Sequence, residues 1–151
     1  MQLGHYLAMH HRAEQDLAAG LRHVAHTHAD EVDVHDIALL LAGECDEHVR
    51  RLDPFAERYG QVAPEEPEHL HADLFHGPRS GGLGLLRDLH DLFLLASSCD
   101  ISWTIIGQAA KAARDQPLDD TVRTCSAQTA RQLHWLTSRM KTAAPQALVV
   151  A

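Results

Sequence analysis

The sequence has few cysteines, few aromatic residues and no excess of positive charge. The three cysteines, Cys45, Cys99 and Cys125, form no CxxC pair. This pattern argues against a disulfide framework and is typical of a reducing cytosol. The formal net charge of −8 argues against nucleic acid as a partner, because a nucleic-acid binder presents a basic face.

The sequence signals of several other function classes are also missing. There is no GxxxxGK[ST] and no GxSxG sequence, so we expect no nucleotide cofactor. The N-terminal residues lack the basic start and continuous apolar core of a signal peptide. No uninterrupted apolar run approaches the roughly 18 residues that span a bilayer. We therefore expect a cytoplasmic protein with no membrane partner.

Residues that favour helix dominate the sequence, and aromatic residues make up only 5% of it. On the first predicted helix, apolar residues recur in alternating steps of three and four, which is the pattern of one buried helix face. The same spacing recurs in three further segments, and Asp33 is a plausible N-cap for the second. The predicted helices are about 2–28, 34–59, 83–114 and 118–143.

The chain length of 151 residues fits a single domain, 1–151. Prolines and glycines mark a crossover at about 61–82 between the second and third helices. Two helical hairpins joined by one long connection predict an all-α, up-down-down-up four-helix bundle of the ferritin-like kind. We expect the apolar C-terminal tail, 144–151, to fold back on the bundle or to enter a dimer contact.

Polar residues stand on the inner faces of the first two predicted helices, where leucine or alanine is expected. Because the turn between these helices lies at about residue 31, an antiparallel pairing sets Glu14 level with His48. A buried carboxylate is costly unless it is paired, protonated or bound to a cation. The inward polar residues are His10, Glu14 and His28 on the first helix and Glu44 and His48 on the second.

Two interpretations of the facing carboxylate and imidazole stay open. One is a buried salt bridge between Glu14 and His48. The other is a metal site in which Glu44 and His10 are further ligands, and iron, manganese or zinc would suit carboxylate and imidazole. A Cys45 thiolate would favour zinc, although buried cysteine is often only a small apolar residue.

The inward residues resemble those of the ferritin-like superfamily, whose two-metal carboxylate sites take a glutamate from two helices and an ExxH motif from the other two. Glu14 lies where the first-helix glutamate belongs, and His48 where the second-helix histidine belongs. Cys45 replaces the glutamate of that ExxH motif. Asp91 is the best counterpart of the second glutamate, and the segment 125–128 lacks both motif residues.

Three functions follow from these observations. The first is a ferritin-like metal-binding bundle that acts in metal handling or in oxidative-stress and redox chemistry. The second is a non-catalytic ferritin-like module, structural or interacting, without metal. The third is a hemerythrin-like binder of a small ligand, since His10-x-x-x-Glu14 and Glu44-x-x-x-His48 have the right residue types. Whether the chain is an enzyme stays open, and Asp100 and His134 are further candidate ligands.

The third predicted helix has more apolar surface than one buried face requires. Its run LLRDLHDLFLLA at 85–96 places leucine on more than one side of the helix. A surplus apolar face usually meets a partner. We therefore expect a homodimer.

Overall fold

The computed structural model describes residues 2–60, 74–75 and 77–150 of the chain. Most of the predicted crossover, 61–73 together with residue 76, lies outside the described residues. Four long helices account for nearly all of the described chain, and no strand occurs in it. They are α1 Leu3–Thr27, α2 Val32–Tyr59, α3 Gly81–Ala112 and α4 Gln116–Pro145. The prediction of an all-α chain with four helices is confirmed.

The helix boundaries differ from the predicted ones by about two residues. Helix α2 begins before Asp33, so Glu31 is its N-cap and the predicted cap is wrong. Helix α4 begins earlier than predicted because the Asp115 carboxylate caps it, accepting a hydrogen bond from the Leu118 backbone N–H at 3.1 Å. Tyr59 Oη donates to the same carboxylate at 2.6 Å, and Arg58 pairs with it. This cap therefore also ties the end of α2 to the start of α4.

The four helices lie side by side, and each contacts two neighbours. Helix α1 packs against α2 and α3, and α3 packs against α4, whereas α2 and α4 form the loosest of the four seams. The residue pairs across these seams show that neighbouring helices run in opposite directions. Thus His28 at the end of α1 meets Asp88 near the start of α3, and Glu14 meets Trp103 further along α3.

Two apolar clusters fill the space between the helices. One is centred on Leu17, Leu21, Leu89 and Leu136. The other lies at the end of the helices where α1 begins, and its members include Leu7, Leu52, Trp103 and Leu118. Buried polar side chains of α1 and α2 lie where the two clusters meet. The core is thus interrupted by a polar layer about midway along the helices.

Helix α3 is long and apolar enough, by length and composition alone, to cross a membrane. An 18-residue window within it has a mean hydropathy of 1.2, and 33% of that window is buried. The expectation of no membrane span rests on the absence of an uninterrupted apolar run, and that criterion does not detect a helix whose mean hydropathy is high but whose apolar residues are interrupted. Core helices of soluble proteins can meet the same two criteria. Because only a third of this window is buried, however, much of the apolar surface of α3 lies on its outer face.

The C-terminal tail continues the direction of α4 instead of folding back. Residues Gln146–Val150 form one π-helical turn that contacts both α4 and the start of α3. Its last three apolar side chains, Leu148, Val149 and Val150, are 64–81% exposed. The tail therefore packs against the start of α3 and adds exposed apolar surface at that end of the molecule, while the dimer contact stays a prediction.

A buried ion-pair network joins α1 to α3 at the end of the helices opposite the Asp115 cap. Asp88 is almost fully buried, and its carboxylate lies 2.7 Å from His28 Nε2. Arg79, just before α3, donates to Asp88 at 3.1 Å and to Asp91 at 2.8 Å. The network therefore fixes the start of α3, and with it the end of the crossover, against the end of α1.

Replacing Asp88 by asparagine should destabilise the protein by roughly 3 kcal/mol, because the buried His28 and the half-buried Arg79 lose their shared negative partner. Asp120→Asn is the matched control, since Asp120 is exposed and receives a hydrogen bond from Gln116 within the same helix. The control should change the free energy of unfolding by less than about 0.5 kcal/mol. Urea denaturation measures both, and equal effects of the two substitutions would contradict the assignment.

Candidate functional site

Glu14 is the centre of the polar layer between the two apolar clusters. It projects from the middle of α1 and is 0% exposed. One of its carboxylate oxygens, Oε2, lies 3.2 Å from Nδ1 of His48 on α2. The predicted meeting of these two side chains in the dry interior is confirmed, since the hairpin turn fixes which residues of α1 and α2 are level.

Two aromatic side chains surround the other oxygen of Glu14. The indole N–H of Trp103, on α3, donates to Oε1 at 3.1 Å. Nε2 of His10, one turn before Glu14 on α1, lies 3.5 Å from the same oxygen. The rings of His10 and Trp103 meet edge to face with their centroids 4.1 Å apart. The Trp103 ring thus closes one side of the site with apolar surface.

His48 is oriented from its far side by Gln128 of α4. His48 Nε2 lies 2.7 Å from Gln128 Oε1, and because an amide oxygen only accepts, Nε2 carries the proton. The other ring nitrogen, Nδ1, faces Glu14 and is not hydrogen bonded to it. Nδ1 therefore presents either the second proton of an imidazolium or a lone pair directed at the carboxylate.

Several buried polar atoms of the site have no hydrogen-bond partner among the described residues. Both ring nitrogens of His10 lack one, whereas Glu14 Oε2 and His48 Nδ1 lack an aligned hydrogen bond but lie 3.2 Å apart as an ion pair. His10 is only 1% exposed. An unsatisfied buried polar group costs on the order of 1–3 kcal/mol, so a group that bound the His10 ring would be stabilising.

The two histidines respond oppositely to this environment. Burial lowers the pKa of His10 from 6.5 to about 4, although the nearby Glu14 charge opposes the shift. Burial also lowers the pKa of His48, but Glu14, helped by Gln128 and Glu44, outweighs it, so the net pKa is raised. His10 is therefore neutral near pH 7 and presents lone-pair nitrogen, the form that binds a metal ion.

A cysteine completes the set of potential metal ligands. His10, Glu14 and Cys99 each offer one ligand atom, and these atoms lie within 4.8 Å of one another in the buried interior. Burial, with the Glu14 charge, raises the pKa of the Cys99 thiol well above its ordinary value. The thiol is protonated unless a cation displaces its proton. This is the one group of three such side chains found among the described residues.

The other two cysteines have different surroundings. Cys45 Sγ lies 3.8 Å from the amide nitrogen of Gln132, and burial and the Glu14 charge raise the pKa of its thiol. Burial raises the pKa of the Cys125 thiol to about 12. All three cysteines are free and buried, consistent with the expectation that no disulfide framework is present.

The structure does not bring the remaining predicted ligands into this site. Glu44 has a side chain 21% exposed and accepts a hydrogen bond from Gln132 at 3.1 Å. Asp91 belongs to the Arg79 network at one end of the helices. Asp100 is half-buried and His134 is exposed. The cluster of His10, Glu14 and Cys99 is thus smaller than the predicted ligand set and is supplied by α1 and α3.

Sequence reasoning missed the parts of the site that come from the second hairpin. Neither Cys99 nor Trp103 is among the candidate residues that the sequence pattern indicates. Their distance from the first hairpin along the chain hides the contact. The one signal available was the alternation of Cys99 and Trp103 on the inner face of α3, at i and i+4.

The chain matches no model of a protein family, no curated protein and no solved structure. Its function is therefore inferred from its own residues.

Proposed function

We propose that this chain is a metal-binding protein of ferritin-like four-helix architecture, which holds one divalent transition-metal ion at Glu14. His10 supplies a neutral imidazole, and His48 lies against the second oxygen of Glu14. Iron, manganese and zinc are the candidate ions. The role would lie in metal handling or in oxidative-stress and redox chemistry.

The single observation that carries the proposal is a fully buried carboxylate surrounded by unsatisfied imidazole nitrogens. A carboxylate in an apolar interior needs a compensating positive charge. Among the described residues, Glu14 forms its salt bridges with His10 and His48, and burial lowers the pKa of His10 to about 4. A bound cation would supply the charge and would also accept the lone pair of His10.

The ferritin-like part of the proposal is supported by helix directions. Neighbouring helices are antiparallel, and the long connection joins two helices, α2 and α3, that run the same way. Ferritin-like proteins have this up-down-down-up order. The ligand set departs from theirs, because Glu44 and Asp91 do not reach Glu14. We therefore propose one metal ion in place of two.

A structural module without metal is the second candidate, and the raised pKa of His48 favours it. A doubly protonated His48 would give Glu14 its positive partner at 3.2 Å, and Trp103 already donates to the carboxylate. Under this alternative the site is a buried ion pair. A hemerythrin-like site is less favoured, because α3 and α4 contribute no histidine to the cluster and their His90 and His134 are exposed.

Replacing Glu14 by glutamine should abolish metal binding, because the amide keeps the shape of the side chain but removes its charge. We expect the affinity for Zn²⁺, Mn²⁺ or Fe²⁺, whichever the wild-type chain retains, to fall at least about 100-fold. Equilibrium dialysis with elemental analysis, on protein purified without a histidine tag, measures the change.

Glu44→Gln is the matched control, since it makes the same chemical change on the neighbouring helix outside the cluster. It should leave the metal content at one ion per chain. A wild-type chain that binds none of the three ions, with a melting temperature unaffected by chelator, would contradict the metal proposal. In that case Glu14→Gln should still cost about 3 kcal/mol of stability by leaving a charged His48 unpaired.

A further inference from the structure

We propose that Cys99 binds the metal as a thiolate and that the site is therefore a zinc-type site with nitrogen, oxygen and sulfur ligands. This inference rests on the proposed function. It names a ligand that the sequence pattern does not indicate, and it narrows the three candidate ions to one class. Thiolate ligands favour zinc over manganese, which prefers oxygen.

The spacing of the ligand atoms fits one small tetrahedral ion. Zinc binds nitrogen and oxygen at about 2.1 Å, so two such ligands at a tetrahedral angle lie about 3.4 Å apart. The distance between His10 Nε2 and Glu14 Oε1 is 3.5 Å, which is longer than an ordinary hydrogen bond. Cys99 completes a triangle whose sides are all within 4.8 Å.

His10 gives an independent indication that a ligand belongs here. Its side chain is almost fully buried, neither ring nitrogen has a hydrogen-bond partner in the described part of the chain, and Nε2 is on the side of Glu14. A histidine that only filled space would be expected to satisfy at least its N–H group. Three protein ligands would leave a fourth tetrahedral position for water or a substrate, as in catalytic zinc sites.

Binding requires one proton transfer. The Cys99 S–H bond breaks, a sulfur–metal bond forms, and the proton leaves to the solvent buffer. Because burial and Glu14 both stabilise the thiol form, the cation must compensate the new negative charge. No oxidation or reduction takes place, so no electron donor or acceptor is needed.

Cobalt substitution tests the thiolate directly, because Co²⁺ bound by thiolate in a tetrahedral site absorbs by sulfur-to-metal charge transfer in the near ultraviolet. The full-length wild-type chain loaded with Co²⁺ should show this band. Cys99→Ala should abolish it. Cys125→Ala should retain it, since this second buried cysteine belongs to the other apolar cluster and no ligand atom of the site is assigned to it.

The possible results separate this inference from the proposed function. Co²⁺ that binds at Glu14 without the band, or a band that survives in Cys99→Ala, would overturn the thiolate and leave metal binding intact. Failure of the wild-type chain to bind either Co²⁺ or Zn²⁺ would overturn this inference, and failure to bind Fe²⁺ and Mn²⁺ as well would overturn the proposed function. If Cys99→Ala does not fold, X-ray absorption of the zinc-loaded wild-type chain replaces it, and a sulfur shell at about 2.3 Å is expected. Its absence would refute the proposal.

A separate observation concerns the outward face of α3, and here we infer that a second copy of this chain covers it. Leu83, Leu94, Ile101 and Ile105 are 40–60% exposed. At 100° per residue they fall within about 40° of one another, on the side of α3 opposite to its buried residues. This outer strip explains why α3 is apolar all round, unlike a helix with one buried face.

The outer strip is large enough to matter for association. From Leu83 to Ala112 it is about 44 Å long, and one helix width of about 10 Å gives it on the order of 400 Å². An apolar groove of about 480 Å³, lined by Tyr6, Ile105 and Ala109 among others, continues it toward α1. The strip alone corresponds to about half of the roughly 800 Å² that each partner buries in a standard-size interface, so a dimer would also cover the groove beside it.

The sequence of the strip favours an antiparallel pair of α3 helices. When two copies cross at Ser97 and Ser98, Leu94 of each copy faces Ile101 of the other, and small side chains allow close approach at the centre. Arg87 then faces an uncharged residue, whereas parallel pairing would set Arg87 against its own copy. The antiparallel arrangement is symmetric, as a two-fold dimer requires.

Ile101→Lys should convert the dimer to a monomer, because the two-fold axis brings two copies of the new charge into one apolar strip. Leu40→Lys is the matched control, since Leu40 is 62% exposed on α2, against 60% for Ile101 on α3. It should leave the dimer intact. Sedimentation equilibrium of the full chain measures the mass. A monomeric wild-type chain, or equal effects of the two substitutions, would overturn the proposal.

Cross-linking tests the pairing itself. Under mild oxidation, Ser98→Cys should give a disulfide-linked dimer, because the two copies of position 98 meet at the crossing point. Leu83→Cys should give none in an antiparallel pair, and a link at Leu83 would overturn that arrangement. Flotation of the wild-type chain with phosphatidylcholine vesicles would show that a membrane covers the strip and would equally refute the dimer.

Discussion

The Glu14 carboxylate lies in an interior from which water is excluded, and the arrangement of the polar layer follows from its need for a compensating charge. Trp103 donates its only N–H to this carboxylate, and His48 and His10 approach its two oxygens from neighbouring helices. Around them, apolar side chains fill the helix interfaces on both sides. The Glu14 carboxylate thus requires that the polar residues in contact with it be hydrogen-bond donors or cations.

The two histidines differ in whether they can supply a positive charge to Glu14. Gln128 fixes the proton of His48 on Nε2 and leaves Nδ1 toward the carboxylate, so His48 can serve as an imidazolium partner or as an oriented neutral ring. His10 cannot do the former near pH 7, because burial lowers its pKa to about 4. Its nitrogens, which have no hydrogen-bond partner among the described residues, are the observation on which the proposed metal ion rests.

The sequence predicts much of the first hairpin and little of the contact between hairpins. A short turn near residue 31 fixes the register of α1 and α2, so the meeting of Glu14 and His48 follows from counting. The register of α3 against α1 depends on a connection whose length does not determine it. Counting residues along the chain therefore could not show that Cys99 and Trp103 lie beside Glu14. For the same reason Asp91, a reasonable match by spacing, lies instead beside Arg79.

Apolar spacing also could not distinguish a core residue from a residue of an outer strip. Helix α3 has apolar residues on both faces, and a periodic pattern identifies the buried face only when the opposite face is polar. Polar residues carried the clearer information: His28 lies on the predicted inner line and is buried, with Asp88 as its partner. An ionisable residue on an apolar face needs a partner of opposite charge or a hydrogen bond. Its position therefore indicates that such a partner faces it from a neighbouring helix.

Anomalous X-ray diffraction from crystals of the zinc-loaded chain, recorded on both sides of the zinc absorption edge, would locate the cation directly. We expect one peak per chain inside the helices, about 2.0–2.3 Å from a His10 ring nitrogen, a Glu14 oxygen and Cys99 Sγ. A chain whose anomalous map is empty there, with His48 directly hydrogen bonded to Glu14, would contradict the account and leave a buried ion pair in place of a metal centre.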